Sequence, residues 1–264
     1  MDDEKVRLGG MALGNGVLVH GPSSWACAVR HPDGRLEVAS ARKRFRAANV
    51  HIPLLRGPAR LVEAIAVLPE VKRKLPAARL PMQEPGTLAA VAVAAVAVRG
   101  IRGSARLRPA AQELVSGLLS LAPAALALRG GELAAYHGAE HISIGRYEHG
   151  AAATKEHERC GGHLIGPLVV TSAVGNTLAG LVPERVRNPA RAAAQLGALA
   201  ASTEIFGWMT RNPRHVVAQA LSKPGHELQH RLSTAEPTDE QLEVAEAALR
   251  ACLALEDGDD ARDT

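Results

Sequence analysis

Apolar residues recur in three rhythms along this 264-residue chain. In the first fifty residues they form short runs between glycines 9, 10, 14, 16 and 21. Val17-Leu18-Val19 and Trp25–Val29 read as strands, and His31-Pro32-Asp33-Gly34 is turn chemistry, with Gly34 free to take positive φ. Leu36-Glu37-Val38 then returns as the next strand. No Lys-Ser/Thr follows the glycines and dinucleotide-binding spacing is missing, so they read as turns of a small antiparallel sheet rather than as a phosphate loop. From Pro53 the rhythm turns helical, with Leu54, Leu55, Leu61, Val62 and Ile65 on one face. Lys72-Arg73-Lys74 and prolines 76, 81 and 85 end it in a linker.

The second rhythm is a series of uncharged, alanine-rich runs. Leu88–Val98 has eleven residues, Leu114–Leu128 fifteen with Pro123 inside it, and Leu164–Val182 nineteen. Ala192–Met209 is apolar except for Glu204 and a few polar residues. A membrane-spanning helix needs about twenty apolar residues, and about seventeen is the lower limit. Only Leu164–Val182 reaches it. Arg99, Arg102, Arg106 and Arg108 follow the first run, and Arg185, Arg187 and Arg191 the third, as in cytoplasmic loops under the positive-inside rule. Buried helices of a bundle with solvated loops produce the same pattern. The mean hydropathy, −0.02, is low for a polytopic protein.

The third rhythm is the clearest. Thr238-Asp239-Glu240-Gln241 is a capping box. Leu242, Ala245, Leu249 and Cys252 continue one helical face, which predicts a helix ending near Leu255 and an irregular acidic tail over Glu256–Thr264.

Composition narrows the function. The net charge of +4 and the presence of only two each of Trp, Tyr and Phe argue against a nucleic-acid binder. Three dispersed cysteines, 27, 160 and 252, argue for a reducing compartment rather than a disulfide framework. The acidic start Met1–Lys5 lacks the form of a signal peptide. The expected location is the cytoplasm or the cytoplasmic face of a membrane.

Candidate chemistry concentrates between Tyr136 and His163. Five of the eleven histidines (137, 141, 149, 157 and 163) fall there, where an even spread would place about one. His137 and His141 stand at i and i+4, so a helix sets both imidazoles on one face, able to share a metal ion. The order His-x-x-Glu-His is the inverted zinc-peptidase motif, in which the Glu activates water. Glu140 is thus the candidate base, and Glu148, His157, Cys160 and the distant Glu204 are candidates for the third ligand that catalytic zinc requires. Bland readings stand beside these: Cys160 as a small buried thiol, the cluster as a hydrogen-bond network, and Glu204 as an ion-pair partner of Arg191 or Arg211. His149 and His163 have proximity alone.

At these residues the chain resembles the YqhQ-like family of uncharacterised bacterial proteins, which share the DUF1385 domain. The opening Gly9–Ala12, Pro53–Gly57, Tyr136–His141 with Tyr147-Glu148, Arg159-Cys160-Gly161, Ser202 with Glu204, and a C-terminal block of Leu228-Gln229, Thr234, Glu236-Pro237, Asp239, Gln241 and Glu243–Ala245 carry the likeness. Asn15, His20, Ile142 and Gly162-His163 depart from the usual pattern. The resemblance implies a multi-spanning protein of the bacterial cytoplasmic membrane, in contact with lipid, and a metal-dependent enzyme.

Together these readings predict an α+β fold. A β-rich segment over residues 1–50 is followed by a helical body over 51–222, membrane-embedded through two to four helices, and by a C-terminal helix and tail over 223–264. The expected function is metal-dependent hydrolysis of a small-molecule or peptide substrate with a divalent ion such as zinc. A non-enzymatic membrane or scaffold protein is the rival.

Overall fold

The computed structural model describes residues 5–83, 85–104, 107–127, 131–150 and 153–263. Of the residues on which expectations were drawn, Met1–Glu4, Arg106, Leu128 and Thr264 lie outside this set.

Four strands, β1 (Gly9–Leu13), β2 (Gly16–His20), β3 (Ser24–Arg30) and β4 (Leu36–Arg42), form an antiparallel meander in chain order. The fold expectation of a small β meander followed by a mostly helical body therefore holds. Period-two alternation gives the sheet two apolar faces. Val17, Val19, Ala26 and Ala28 face one side, and Leu13, Leu18, Trp25, Cys27 and Val29 face the other. Gly34 takes φ +86° in the expected turn. The strand β1, read from the sequence only as a glycine-rich opening, pairs in full register with β2.

Nine α-helices follow among the described residues: α1 (Arg56–Ala66), α2 (Leu68–Lys74), α3 (Pro85–Arg102), α4 (Pro109–Ala127), α5 (Gly131–His149), α6 (Ile165–Gly180), α7 (Glu184–Arg211), α8 (Val216–Leu228) and α9 (Asp239–Asp263). The first sheet face packs on α5 and α9 through Tyr136, Ala139, Ile144, Val244, Ala245, Ala248, Leu249 and Cys252. The other face packs on α2 through Val67, Val71 and Leu75. The helices α3 with α4, and α6 with α7, pack pairwise beyond this core.

The capping box forms as read: Gln241 N–H donates to Thr238 Oγ1 (3.3 Å), and the Gln241 side chain accepts from Thr238 N–H (3.0 Å). The helix does not stop at Leu255. It runs to Asp263 because Glu256 is buried and accepts from the backbone N–H and hydroxyl groups of both Ser23 and Ser24. A carboxylate with four such donors holds α9 against the β2–β3 turn.

The transmembrane expectation is not met. Among the described residues no helix is long and apolar enough to cross a membrane. The best run, Leu164–Val182, yields α6 with 16 residues, about 24 Å at 1.5 Å per residue, against roughly 30 Å of hydrocarbon. The helix α7 is longer but carries Glu184, Arg185, Arg187, Arg191, Glu204 and Arg211.

Candidate metal centre

The helix α5 brings the chemistry into the core. Ala134 to Gly145 are buried apart from the half-buried His137, and the buried set includes Glu140, His141 and Ser143. Gly138, which lowers helix propensity, is required by packing. A Cβ there would lie 2.2 Å from the Ala235 carbonyl oxygen, so only glycine lets the 233–235 strand of backbone approach. That approach places the Ser233 carbonyl 2.8 Å from His137 Nδ1.

Both motif histidines are oriented in the same way. A carbonyl only accepts, so His137 donates Nδ1–H to Ser233 O, and His141 donates Nδ1–H to Lys155 O at 2.5 Å. Each ring is thereby held in the tautomer whose Nε2 carries the lone pair, the arrangement of metal-binding histidines whose second nitrogen is anchored. Burial keeps both neutral. It lowers the His137 pKa, and with the neighbouring His137 it brings His141 down to about 2.

Cys160 supplies the third donor. Its Sγ lies 3.6 Å from His137 Nε2. Two tetrahedral ligands at about 2.1 Å (N) and 2.3 Å (S) from zinc are separated by about 3.6 Å. The donor atoms of His137, His141 and Cys160 all lie within 4.8 Å of one another. Burial pushes the thiol up to about 12, partly opposed by Gly162 N–H, which donates to the sulfur. A cation at this point reverses that preference, because a coordinated thiol loses its proton. The residues present thus fit a tetrahedral ion with three protein ligands and one open position.

Glu140 stands beside the trio, with Oε2 3.5 Å from His141 Nε2. Its carboxyl is fully enclosed, and burial raises its pKa to about 7, with His157 opposing. Gly10 of β1 makes room for it, since a Cβ at Gly10 would lie 2.1 Å from Glu140 Oε1. His137, Glu140, His141, His157 and Cys160 line a cavity of about 780 Å³. The rest of its wall is largely small and apolar, including Val91, Ala94, Ala95 and Val98 of α3 and Ile144 of α5.

The other candidates are placed differently. His157 Nε2 and Arg159 both meet Glu148, so Glu148 orients the loop that carries Cys160 and is not among the three clustered donors. His157 is stacked 5.6 Å from His141. His163 uses both ring nitrogens, donating to Ser222 O (3.0 Å) and accepting from the Gln229 amide (3.0 Å). His149 is largely exposed. Glu204 is remote from the trio. Its carboxylate pairs with Arg56, not Arg191 or Arg211, and accepts from Leu54 N–H (3.0 Å).

The sequence marks Gln229 only as part of the family likeness and gives it no role. It is fully buried, and its two amide ends join the His157 backbone N–H (2.8 Å) to His163, locking the ligand loop to α8.

Residues 132–255 match the sequence model of a family described as "Protein of unknown function (DUF1385)". The matched segment spans every candidate site residue from His137 to Glu204 and supports the resemblance read from the motifs. No curated protein and no solved structure matches the chain.

Proposed function

We propose that this protein is a metal-dependent, hydrolase-type enzyme whose ion is held by His137, His141 and Cys160. The observation that carries the reading is the pair of Nδ1–H anchors, which aim two Nε2 lone pairs at a cysteine sulfur beside a partly open cavity. Without an ion the Cys160 thiol is within hydrogen-bond reach of the His137 lone pair (3.6 Å), and a bound cation would take the place of that proton.

A divalent ion such as zinc, when bound, supplies Lewis acidity and makes nearby water easier to deprotonate. The chain's own residues do the rest. Glu140, held near neutrality by burial, accepts a proton from water and returns it to the leaving group; a base with a pKa near the working pH does both well. His157 and Arg159 line the same cavity, where they meet polar parts of a substrate.

The test is metal analysis of purified protein combined with cobalt titration. Wild type is expected to bind about one equivalent, with a sulfur-to-cobalt charge-transfer band. His137→Ala/His141→Ala should bind none, and Cys160→Ser should lose the band. Equally negligible metal in wild type and double variant would overturn the proposal.

A further inference from the structure

The helix α1 is mounted inside out. Its apolar face and the approach to it, comprising Phe45, Ile52, Leu54, Leu55, Leu61, Val62 and Ile65, are 41–61% exposed. The side against the body is polar. Glu63 is buried, accepts from Ala47 N–H (2.8 Å) and pairs with the buried Lys43 (3.1 Å). Lys43 also donates to Gly21 O (2.5 Å). Arg56 and Leu54 N–H fix the entrance of α1 to Glu204 of α7. Gly57 lies so close to α7 that a Cβ would sit 2.0 Å from Thr203 Oγ1. Hydrophobic burial normally turns the apolar stripe of a helix inward. Here polar anchors turn it outward, and Leu54 adopts φ +67°, an unfavourable conformation for a branched residue, at the tip of the same face.

Apart from Glu204, which is paired with Arg56, and Glu63, the charged groups of this segment are cationic. Between residues 38 and 69 the only acidic side chain is Glu63, which is buried and paired. Arg44, Arg46 and Arg60 are exposed. A contiguous apolar face with a cationic rim is the pattern of helices that lie in the interface of an anionic bilayer, with arginines among the head groups and apolar side chains at the acyl boundary. A second copy docked about a two-fold axis would set these arginines against their own counterparts.

We infer that Phe45–Ile65 seats the protein on the surface of an anionic lipid bilayer, in plane and without crossing it. This does not depend on the metal site.

The experiment is sedimentation of the full-length protein with phosphatidylcholine vesicles, with and without phosphatidylglycerol. Binding is expected with the anionic vesicles, at least tenfold weaker with the neutral ones, and reduced by salt. Leu61→Ser/Ile65→Ser should lower binding at least tenfold, because two large apolar side chains are withdrawn from the contact. Arg44→Ser/Arg60→Ser should remove the preference for anionic lipid. All four positions are exposed, so unchanged circular dichroism is expected and confirms that the variants fold. Failure of the wild type to sediment with anionic vesicles would overturn the inference, as would equal binding by Leu61→Ser/Ile65→Ser. A lipid-independent dimer that Leu61→Ser/Ile65→Ser dissolves would assign the face to a second copy instead.

Discussion

The helices α1 and α5 break the same rule in opposite directions. The helix α5 buries a glutamate, a histidine and a serine in the centre of the molecule, while α1 presents leucine, valine and isoleucine to the outside. Neither arrangement follows from hydrophobic burial alone. Each is held by specific polar contacts: carbonyl anchors for the α5 imidazoles, and the Lys43–Glu63 pair for α1. The contrast teaches that departures from burial mark places where the chain gives up stability for something else. In α5 that is a cluster of converging imidazole lone pairs, and in α1 it is an apolar surface.

The largest effect should come from removing the α1 anchor. Glu63→Ala leaves Lys43, with a side chain 1% exposed, uncompensated, and should cost about 3–5 kcal/mol in chemical denaturation. Lys43→Met/Glu63→Leu should recover most of that loss. A cost below about 1 kcal/mol for Glu63→Ala would mean that α1 is held by something other than this pair.

The burial of Glu140 gives a pH-dependent effect. A carboxyl raised from 4.5 to about 7 contributes fully below its unfolded value and loses that contribution as pH rises through 7. Metal-free Glu140→Gln should therefore match wild type near pH 4 and exceed it by roughly 2–3 kcal/mol above pH 8. His141 has the opposite sign: its pKa is lowered to about 2, so its contribution is lost as pH falls below 6.5. It is present in both proteins and cancels in the difference. A difference that stays flat with pH would remove Glu140 from the role of base.

Gly138→Ala forces the Ala235 carbonyl away from α5 and should cost about 2 kcal/mol. Metal affinity should fall at least tenfold with it, because the Ser233 anchor moves too. Thermal melting and zinc competition would read the two effects separately, and melting without a change in affinity would uncouple Gly138 from the site.

The smallest effect tests α1 again. Leu54→Gly relieves the positive φ and should change stability by no more than about 1 kcal/mol, on the favourable side, while weakening vesicle binding. Equal vesicle binding would show that Leu54 takes no part in the apolar face.

The strands, the α9 capping box and the His137/His141 pair were legible because each is a local pattern: alternation, a four-residue box, an i,i+4 spacing. The apolar face of α1 was equally legible, but its direction was not. Periodicity defines a face and says nothing about what the face meets, and here Lys43 and Glu63 decide that. The role of Gln229 escaped because its partners lie 66 and 72 residues away. Glu256 escaped because an acidic run at the end of a helix carries no sign of the two serines that receive it.

The chain from Glu63 through Lys43 does not end at the sheet. Lys43 Nζ lies 3.2 Å from His20 Nδ1, and His20 borders the cavity. An ammonium only donates, so Nδ1 accepts, and the single proton of this neutral ring, its pKa lowered to about 4 by burial and by Lys43, resides on Nε2. The cavity therefore has a built-in polarity. Imidazole lone pairs project from its α5 wall, and a tautomer-fixed N–H belongs to its β-sheet wall. A molecule that satisfies both must bring an electron-pair acceptor, such as a cation, to one wall and a hydrogen-bond acceptor to the other, which restricts the orientation in which it can be held.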